Sequence, residues 1–244
     1  MDLTAGRPSP RFDGARRSTQ SEILDGRVDA GELAKILADL ARFNGAMLGH
    51  RPLLQWLDRA VRDLPAAQPL TLLDIGCGYG DLLRAIRRWA EKRGHPMTLI
   101  GIDLSSQVIE IARNATDASD DIAYHAGDIF DFTPAGPIDI VTTSLVAHHL
   151  SDEMIVRFLR WMETHARRGW VIYDLQRSRV PFYFIALAGV LLRLHAVVTY
   201  DGRISVARSL TRREWRLKIA EAGIAPEAAD LRWFMFRFAI GRRK

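Results

Sequence analysis

Short apolar runs alternate along the chain with segments in which apolar residues recur every three or four positions. The first run, at 70–75, is followed by similar runs at 98–102, 122–125, 138–143 and 170–175. An almost unbroken apolar run of this length is typical of a strand buried on both faces, whereas the three-to-four spacing between the runs is typical of helices. The alternation predicts a single α/β domain with a mostly parallel sheet and helices on both of its faces.

Apolar residues also follow helical spacing at 33–48 and 53–61, before the first strand. After the fifth strand, residues 181–198 are almost wholly apolar. A bilayer span needs about 20 such residues, and Arg193 and His195 interrupt this stretch. It is interpreted as a buried helix or as the wall of a substrate cavity, and contact with a membrane surface is the alternative.

The C-terminal third carries three further local signals. A turn is predicted at 200–203, and the Thr211–Glu214 spacing is that of a capping box that opens a helix. Residues 231–240 are predicted to form the last strand.

Composition sets bounds on these expectations. The 244 residues are 48% hydrophobic and 26% charged, which is ordinary for a globular protein. The single cysteine, Cys77, excludes an internal disulfide, and with no recognised apolar leader it favours a cytoplasmic protein. The net charge of +5 comes from scattered arginines, so a nucleic-acid partner is not expected. Residues 1–18 are rich in Arg, Ser and Pro and are predicted to be disordered.

Three glycines follow the first strand: Gly76, Gly78 and Gly80, framed by Asp74 and Asp81. Glycines between a strand and a helix let a ligand approach the backbone more closely than any Cβ allows. The simpler interpretation is an ordinary strand-to-helix turn. A dinucleotide site is disfavoured, because the third glycine of Gly-x-Gly-x-x-Gly is replaced here by Asp81.

Polar residues also follow the later strands. Asp103 ends the second strand about 20 residues beyond the glycines, where a carboxylate can accept hydrogen bonds from both hydroxyls of a ribose. Asp128 and Ile129 follow the third strand, and Ser144 follows the fourth. These residues are expected to meet at one edge of the sheet, where the strands of an open α/β sheet place their ligand.

The ordered set of motifs resembles the class I S-adenosylmethionine-dependent methyltransferases, in particular the quinone/sterol-type small-molecule branch. Residues 74–80 are similar to the first motif of that family, 101–105 to the second, 127–129 to the third and 138–150 to the fourth. The resemblance covers roughly residues 50–175. It implies a Rossmann-like sheet of seven strands, mostly parallel, with the last strand antiparallel beside a strand near 226–230.

The resemblance also implies roles for individual residues in binding S-adenosylmethionine. The backbone at Gly76, with Asp74, would hold the methionine amino group, and Asp103 would take the ribose hydroxyls. The adenine would lie against Leu104, with its exocyclic amine on Asp128. The remaining predicted cofactor residues are Cys77, Gly78, Gly80, Ile129, Ser144 and Arg51; the Ile129 N–H would reach a ring nitrogen, and the Arg51 guanidinium would pair with the methionine carboxylate.

The chain is accordingly divided into a disordered segment, 1–18, and one methyltransferase domain, 19–244. Within the domain, 19–64 would form N-terminal lid helices, with extra core as the alternative, and 65–175 would form the cofactor-binding core. Residues 176–210 would be an apolar insertion on the substrate side. Residues 211–244 would add the C-terminal helix and strands.

His148 and His149 follow the fourth strand, beside the place where the methyl group would be presented. A histidine there can remove a proton from a phenol, enol or amine as it attacks the methyl carbon. Alternatively, one of the pair packs against the sheet or caps the helix that starts near 151. A sulfonium is already a strong electrophile, so proximity and orientation can suffice without a base. No metal site is expected.

The sequence thus favours methyl transfer to a small hydrophobic acceptor, such as a phenolic, quinone-like or polyketide metabolite, on oxygen or carbon. Residues 142–145, Thr-Thr-Ser-Leu, replace the Asn-Pro-Pro-Tyr type of motif that indicates methylation of nucleobase or glutamine amino groups. The alternatives are a protein or RNA methyltransferase, and a non-catalytic partner protein that binds the cofactor without transferring its methyl group. Peripheral membrane contact and the oligomeric state stay open.

Overall fold

A computed structural model describes residues 3–65 and 67–244. In chain order its helices and strands are α1 (Ala30–Ala46), α2 (Arg51–Ala60), β1 (Leu70–Ile75), α3 (Asp81–Arg93), β2 (Met97–Asp103), α4 (Ser106–Asn114), β3 (Ile122–Ala126), β4 (Ile138–Ser144), α5 (Asp152–His165), β5 (Ala166–Leu175), α6 (Arg179–Leu191), α7 (Ala196–Arg208), α8 (Arg212–Glu221), β6 (Asp230–Phe234) and β7 (Arg237–Arg243).

The seven strands form one sheet in the order β3-β2-β1-β4-β5-β7-β6. The first five strands are parallel, and β7 runs antiparallel to both β5 and β6. Leu72 pairs with Leu99 of β2 on one side and Ile140 of β4 on the other. The predicted mostly parallel seven-stranded sheet is confirmed. Because the strand order reverses between β1 and β4, the carboxyl ends of these strands flank the crevice that this topology creates.

Helices cover both faces of the sheet, as the apolar runs predict. On one face Leu72, Leu99 and Val171 pack against α2, α3 and α4. On the other face Leu73 and Ile172 lie among residues of α5 and α8. Successive strand residues point to opposite faces, so strands covered on both sides must be apolar at every position.

The two helices before β1 lie in different places, although the sequence predicted a single helical lid over 19–64. In α2, Leu53 and Leu57 are buried in the core of the sheet. Trp56 lies so close to Gly241 of β7 that any Cβ there would collide with its indole ring. α1 lies apart from that cluster, with Leu40 beside the crevice. α2 therefore belongs to the core, and only α1 lies where the predicted lid would be.

The apolar stretch at 181–198 is divided between two helices. α6 ends at Leu191, and Arg193 adopts a left-handed conformation with φ of 49°. The His195 side chain accepts a hydrogen bond from the Val197 N–H and starts α7. The turn predicted at 200–203 is wrong, because these residues lie inside α7. The chain instead turns between α6 and α7, before His195. The apolar residues continue through this turn, so their pattern does not reveal where the first helix ends.

The C-terminal capping box is confirmed. The Thr211 side chain accepts a hydrogen bond from the Glu214 backbone N–H, and the Glu214 side chain accepts one from the Thr211 backbone N–H. The single strand predicted at 231–240 is wrong. β6 and β7 form a hairpin around Met235 and Phe236, whose φ angles are 44° and 68°. Residues 226–228 form a 3₁₀ turn, not the strand that was expected there. The hairpin escaped prediction because its turn contains neither glycine nor asparagine.

The N-terminal segment is irregular, yet from residue 3 it makes defined contacts with the domain, contrary to the disorder expected for 1–18. Arg17 donates to the carbonyl oxygens of Arg208 and Leu150, at 2.6 and 2.9 Å. The Phe12 ring packs 5.3 Å from that of Phe182. Residues 1 and 2 lie outside the described part of the chain. Among the residues described, no helix is both long and apolar enough to cross a bilayer.

Candidate active site

A cleft of about 560 Å³ opens at the carboxyl ends of β1, β2 and β4. This volume suits a ligand of cofactor size. The cleft brings together most of the residues that the sequence assigned to cofactor binding: Asp74, Gly76, Cys77, Gly78, Asp103, Leu104, Asp128, Ile129 and Ser144.

The three loop glycines differ in what a side chain at each position would meet. All three have positive φ. A Cβ on Gly76 would collide with Val146, and one on Gly80 would collide with the Tyr124 hydroxyl, whereas one on Gly78 would meet nothing within 4 Å. Gly76 and Gly80 therefore serve close packing within the protein. Only Gly78 leaves a strip of backbone open to a ligand.

Asp103 lies opposite this strip. Its carboxylate accepts hydrogen bonds from the N–H groups of Gly78 and Ser105, both at 3.1 Å. Burial raises the pKa of Asp103, and the two N–H groups oppose that rise. Each carboxylate oxygen keeps a further lone pair for an incoming hydroxyl. The neighbouring Leu104 is 77% exposed in the cleft, so its apolar side chain is available to a flat ring.

Asp74 lies at the base of the cleft and is 2% exposed. It accepts a hydrogen bond of 2.8 Å from the Thr142 hydroxyl. Burial raises its pKa to about 8, although the Thr142 bond lowers it. A cation bound beside this carboxyl would favour its ionised form, so the position fits an amino group.

Asp128 and Ile129 line the cleft, on the side where the resemblance to the family implies that the adenine would lie. One Asp128 oxygen accepts from the Phe130 N–H at 2.9 Å, which shapes the turn after β3. Cys77 is a buried free thiol. Burial raises its pKa, so the side chain stays an uncharged, closely packed group.

Arg51 is not brought into the cleft. It lies exposed at the start of α2 and lines a separate surface depression. Its neighbour His50 faces the cleft instead, with Nε2 3.0 Å from the Asp81 carboxylate. Because Arg51 lies outside the cleft, the structure does not bring it to the position expected for the methionine carboxylate.

A second, apolar cavity of about 180 Å³ adjoins the cleft. The two share the lining residues Leu24, Asp25, Leu40, Leu145 and His149. The walls come from α1, α6, α7 and the β6–β7 turn, and include Phe43, Met47, Phe184, Ile185, Val198 and Phe236. The stretch at 181–198 thus contributes side chains to this cavity, as one interpretation of its sequence predicts.

His148 lines this cavity and is 3% exposed. Its Nδ1 lies 2.7 Å from one oxygen of Asp174, and its backbone N–H donates to the other oxygen at 3.0 Å. A carboxylate only accepts hydrogen bonds, so Nδ1 carries the proton and Nε2 keeps a free lone pair. Burial opposes ionisation of Asp174, but the charge of His148 in its protonated form, together with the hydrogen bonds from His148, holds the pKa of Asp174 below the usual value.

His149 stands where the cleft meets the cavity, and its side chain is 34% exposed. Its Nδ1 lies 3.1 Å from Asp25, and this bond, with Arg208, lowers the pKa of Asp25. The turn that carries both histidines starts at Leu145, whose φ is 61°. A left-handed conformation is uncommon for leucine, and such strain is concentrated at functional sites.

Three acids of the site were not predicted: Glu22, Asp25 and Asp174. Asp174 ends a buried strand, the same signal that identified Asp103, and could have been found. Glu22 and Asp25 lie in an irregular segment without any pattern. Burial raises the pKa of Glu22 to about 7, against the lowering effect of His149 and of the Ser205 hydroxyl.

Glu22 faces both histidines, with its carboxylate oxygens 3.7 Å from His148 Nε2 and 3.8 Å from His149 Nε2. These ligand atoms all lie within 4.8 Å of one another. Two imidazoles and a carboxylate can hold a divalent metal ion, a possibility that the sequence did not suggest.

Comparison with known proteins agrees with this geometry. Residues 72–169 match the family model described as a methyltransferase domain. A trans-aconitate 2-methyltransferase from Azoarcus sp. (strain BH72) is 31% identical over an alignment of 121 residues, and the match covers 47% of this chain. The chain spans 43% of the length of that relative.

Solved structures with the same fold include two methyltransferases. The magnesium protoporphyrin IX methyltransferase from Synechocystis PCC 6803, with bound S-adenosylhomocysteine, is 16% identical with a TM-score of 0.56, over 90% of both chains. The plantazolicin methyltransferase with S-adenosylhomocysteine is 16% identical with a TM-score of 0.62, over 87% of this chain and 94% of that one. The chain therefore has the fold of these S-adenosylmethionine-dependent methyltransferases, and its residues 72–169 are similar to the methyltransferase-domain family.

Proposed function

We propose that this protein transfers a methyl group from S-adenosylmethionine to a small apolar acceptor such as a phenolic, quinone-like or polyketide metabolite. The observation that carries the proposal is the junction of the two cavities at His149. The cleft with the family's motif residues shares a wall with an apolar cavity. A cofactor in the first would face an acceptor in the second.

The cleft residues suit S-adenosylmethionine group by group. Asp74 offers a buried acceptor for the amino group, Gly78 an open backbone, and Asp103 free lone pairs for the ribose. Leu104 offers an apolar face for the adenine. When bound, the cofactor supplies an electrophilic methyl group on a sulfonium sulfur.

The histidine pair would act on the acceptor. Orientation in the apolar cavity brings the nucleophilic atom of the acceptor toward the cleft. We assign removal of its proton to His148, because Nε2 holds a free lone pair while Asp174 keeps the proton on Nδ1. The buried Asp174 carboxylate then stabilises the imidazolium. His149, at the junction, is the second candidate base.

Mass spectrometry of a cell extract incubated with the protein and isotopically labelled S-adenosylmethionine tests the function. A labelled lipophilic product is expected. Label in protein or RNA would support those acceptors instead. Tight cofactor binding without any labelled product would support the non-catalytic alternative.

Replacing Asp103 by alanine is expected to weaken S-adenosylmethionine binding by about 1.5–3 kcal/mol, the range for hydrogen bonds to a charged group. Isothermal titration calorimetry measures the change. The matched control is Asp131→Ala, which removes an exposed acid outside the cleft and should leave the affinity unchanged. Unchanged affinity in a folded Asp103→Ala variant would remove Asp103 from the ribose site.

Placing a charge in the apolar cavity should weaken acceptor binding selectively. Phe184 lines the cavity, whereas Leu187 on the same helix is 57% exposed and lies outside it. Phe184→Asp is expected to raise KM at least about tenfold for the acceptor whose labelled product is found by mass spectrometry. The reason is that an unpaired carboxylate against an apolar ligand costs more than about 1 kcal/mol. Leu187→Asp is the control and should leave KM unchanged. Equal KM values in both variants would place the acceptor elsewhere.

The outward face of α6 supports a second proposal, that the protein contacts a membrane surface. Exposed apolar side chains recur along it at helical spacing, at Val180, Tyr183, Leu187, Val190 and Leu191. Helix faces of this kind lie in the bilayer interface. Leu187→Asp should therefore also reduce co-sedimentation with liposomes while sparing activity on a dissolved acceptor.

A further inference from the structure

Arg237 is a buried cation in the acceptor cavity. It begins β7 directly after the hairpin turn and is 7% exposed. Its Nη2 donates to the Asn44 side-chain oxygen at 2.7 Å. Its guanidinium carbon lies 5.3 Å from the centre of the Tyr173 ring. Both of these partners are uncharged.

No carboxylate among the described residues forms an ion pair with Arg237, although the same cavity contains three acids. Each of the three is used elsewhere. Asp25 pairs with Arg208 at 2.7 Å, and Glu22 accepts from Ser205 at 2.8 Å. Asp201 accepts from two backbone N–H groups. The positive charge of Arg237 is therefore left without a counter-ion.

A second polar group in this wall is also incomplete. The Tyr173 hydroxyl is buried and makes no hydrogen bond of good geometry, and Tyr173 lines the cavity beside Arg237. Burial raises the pKa of Tyr173, and the neighbouring Arg237 guanidinium lowers that pKa, so the two groups face each other without an anion between them. Burying an unpaired charge or an unbonded hydroxyl destabilises a protein by several kcal/mol. An arginine and a tyrosine that share one apolar cavity and have no anionic partner there indicate that a ligand supplies the missing anion.

We propose that Arg237 binds an anionic oxygen of the acceptor, so that the acceptor is an apolar molecule with one carboxylate, enolate or phenolate group. The assignment of the cavity to the acceptor rests on the function proposed above. The planar guanidinium has several N–H donors, and the single bond to Asn44 leaves the others for an oxyanion. The apolar walls at Phe43, Met47 and Phe184 would hold the remainder of the molecule.

The cofactor also carries a carboxylate, so the source of the anion must be distinguished. Arg237 lines the apolar cavity and not the cleft, whereas its partner Asn44 lines the cleft. The Asn44 amide therefore stands between the guanidinium and the cofactor position. This arrangement favours the acceptor as the source of the anion.

Binding of octanoate and of octan-1-ol, which share an eight-carbon chain and differ in charge, tests the proposal. Isothermal titration calorimetry on the full chain should show octanoate binding at least about tenfold more tightly, a difference of about 1.4 kcal/mol. Arg237→Met should abolish that preference, and Arg237→Lys should keep part of it. The control Arg179→Met removes an exposed arginine outside both cavities and should change nothing.

Two further measurements keep the outcome decisive. The melting temperature of ligand-free Arg237→Met should not fall, because the variant removes a buried unpaired charge; a variant that fails to fold is replaced by Arg237→Lys. Equal affinity of the natural protein for the two probes would overturn the proposal. So would a tenfold loss of S-adenosylmethionine affinity in Arg237→Met with octanoate binding unchanged, which would assign Arg237 to the cofactor. Octanoate preference without labelled methyl transfer would instead refute the proposed function and leave the anion site standing.

Discussion

Replacing Gly78 by valine is expected to abolish binding of S-adenosylmethionine while the protein stays folded. A Cβ at this position would point into open space at the cleft, so added atoms occupy the volume where the ligand must meet the backbone. Gly78 also has φ of 51°, and a left-handed conformation costs a residue with a side chain about 1–2 kcal/mol. Calorimetry should detect no binding, with circular dichroism close to that of the natural protein.

Gly94 provides a matched control for the strain. It ends α3 with φ of 69°, and a Cβ there, as at Gly78, would meet nothing within 4 Å, but Gly94 lies outside the cleft. Gly94→Val should lower the melting temperature by a similar amount and leave cofactor affinity unchanged. Normal binding by a folded Gly78→Val variant would show that the glycine run is only a turn.

Replacing His148 by asparagine is expected to lower kcat about 10²–10⁴-fold, the usual contribution of a general base. The asparagine amide can still donate to Asp174 in place of Nδ1, yet it leaves no lone pair of comparable basicity where Nε2 stood. Cofactor affinity should change little, because His148 lines the acceptor cavity and not the cleft. Steady-state kinetics with labelled cofactor measure the effect.

His165 is the control, since it is exposed and hydrogen-bonds only to the Trp161 carbonyl. His165→Asn should retain full activity. Losses below about fivefold in both His148→Asn and His149→Asn would support transfer driven by proximity alone. A loss that appears in the natural protein on treatment with a chelator would indicate that the histidines act as metal ligands with Glu22.

Most of the residues predicted to bind the cofactor lie together in the cleft, because the signals that identified them are local. Gly78, Asp103 and Asp128 each follow a strand directly, and the carboxyl ends of adjacent parallel strands meet at one edge of a sheet. Local spacing was therefore enough to place them together. Arg51 was the exception, because the direction of a side chain at a helix start depends on how that helix packs against the sheet.

The acceptor cavity could not be predicted in the same way. Glu22, His148 and Arg237 come from an irregular N-terminal segment, the turn after β4 and the start of β7. No spacing rule connects positions so distant in the chain. The hairpin that presents Arg237 turns at Met235 and Phe236, which carry no turn signal, so even the local structure around it was hidden.

The sequence by itself determined the α/β class, the parallel core and the edge of the sheet where a cofactor would lie, because strand burial and glycine geometry act over a few neighbouring residues. Only the tertiary structure decided which of the two N-terminal helices lies beside the cleft, where the apolar stretch at 181–198 bends, and which charges line the apolar cavity. These depend on contacts between elements far apart in the chain, such as Arg237 with Asn44 and His148 with Asp174, and such contacts form only when the whole domain packs.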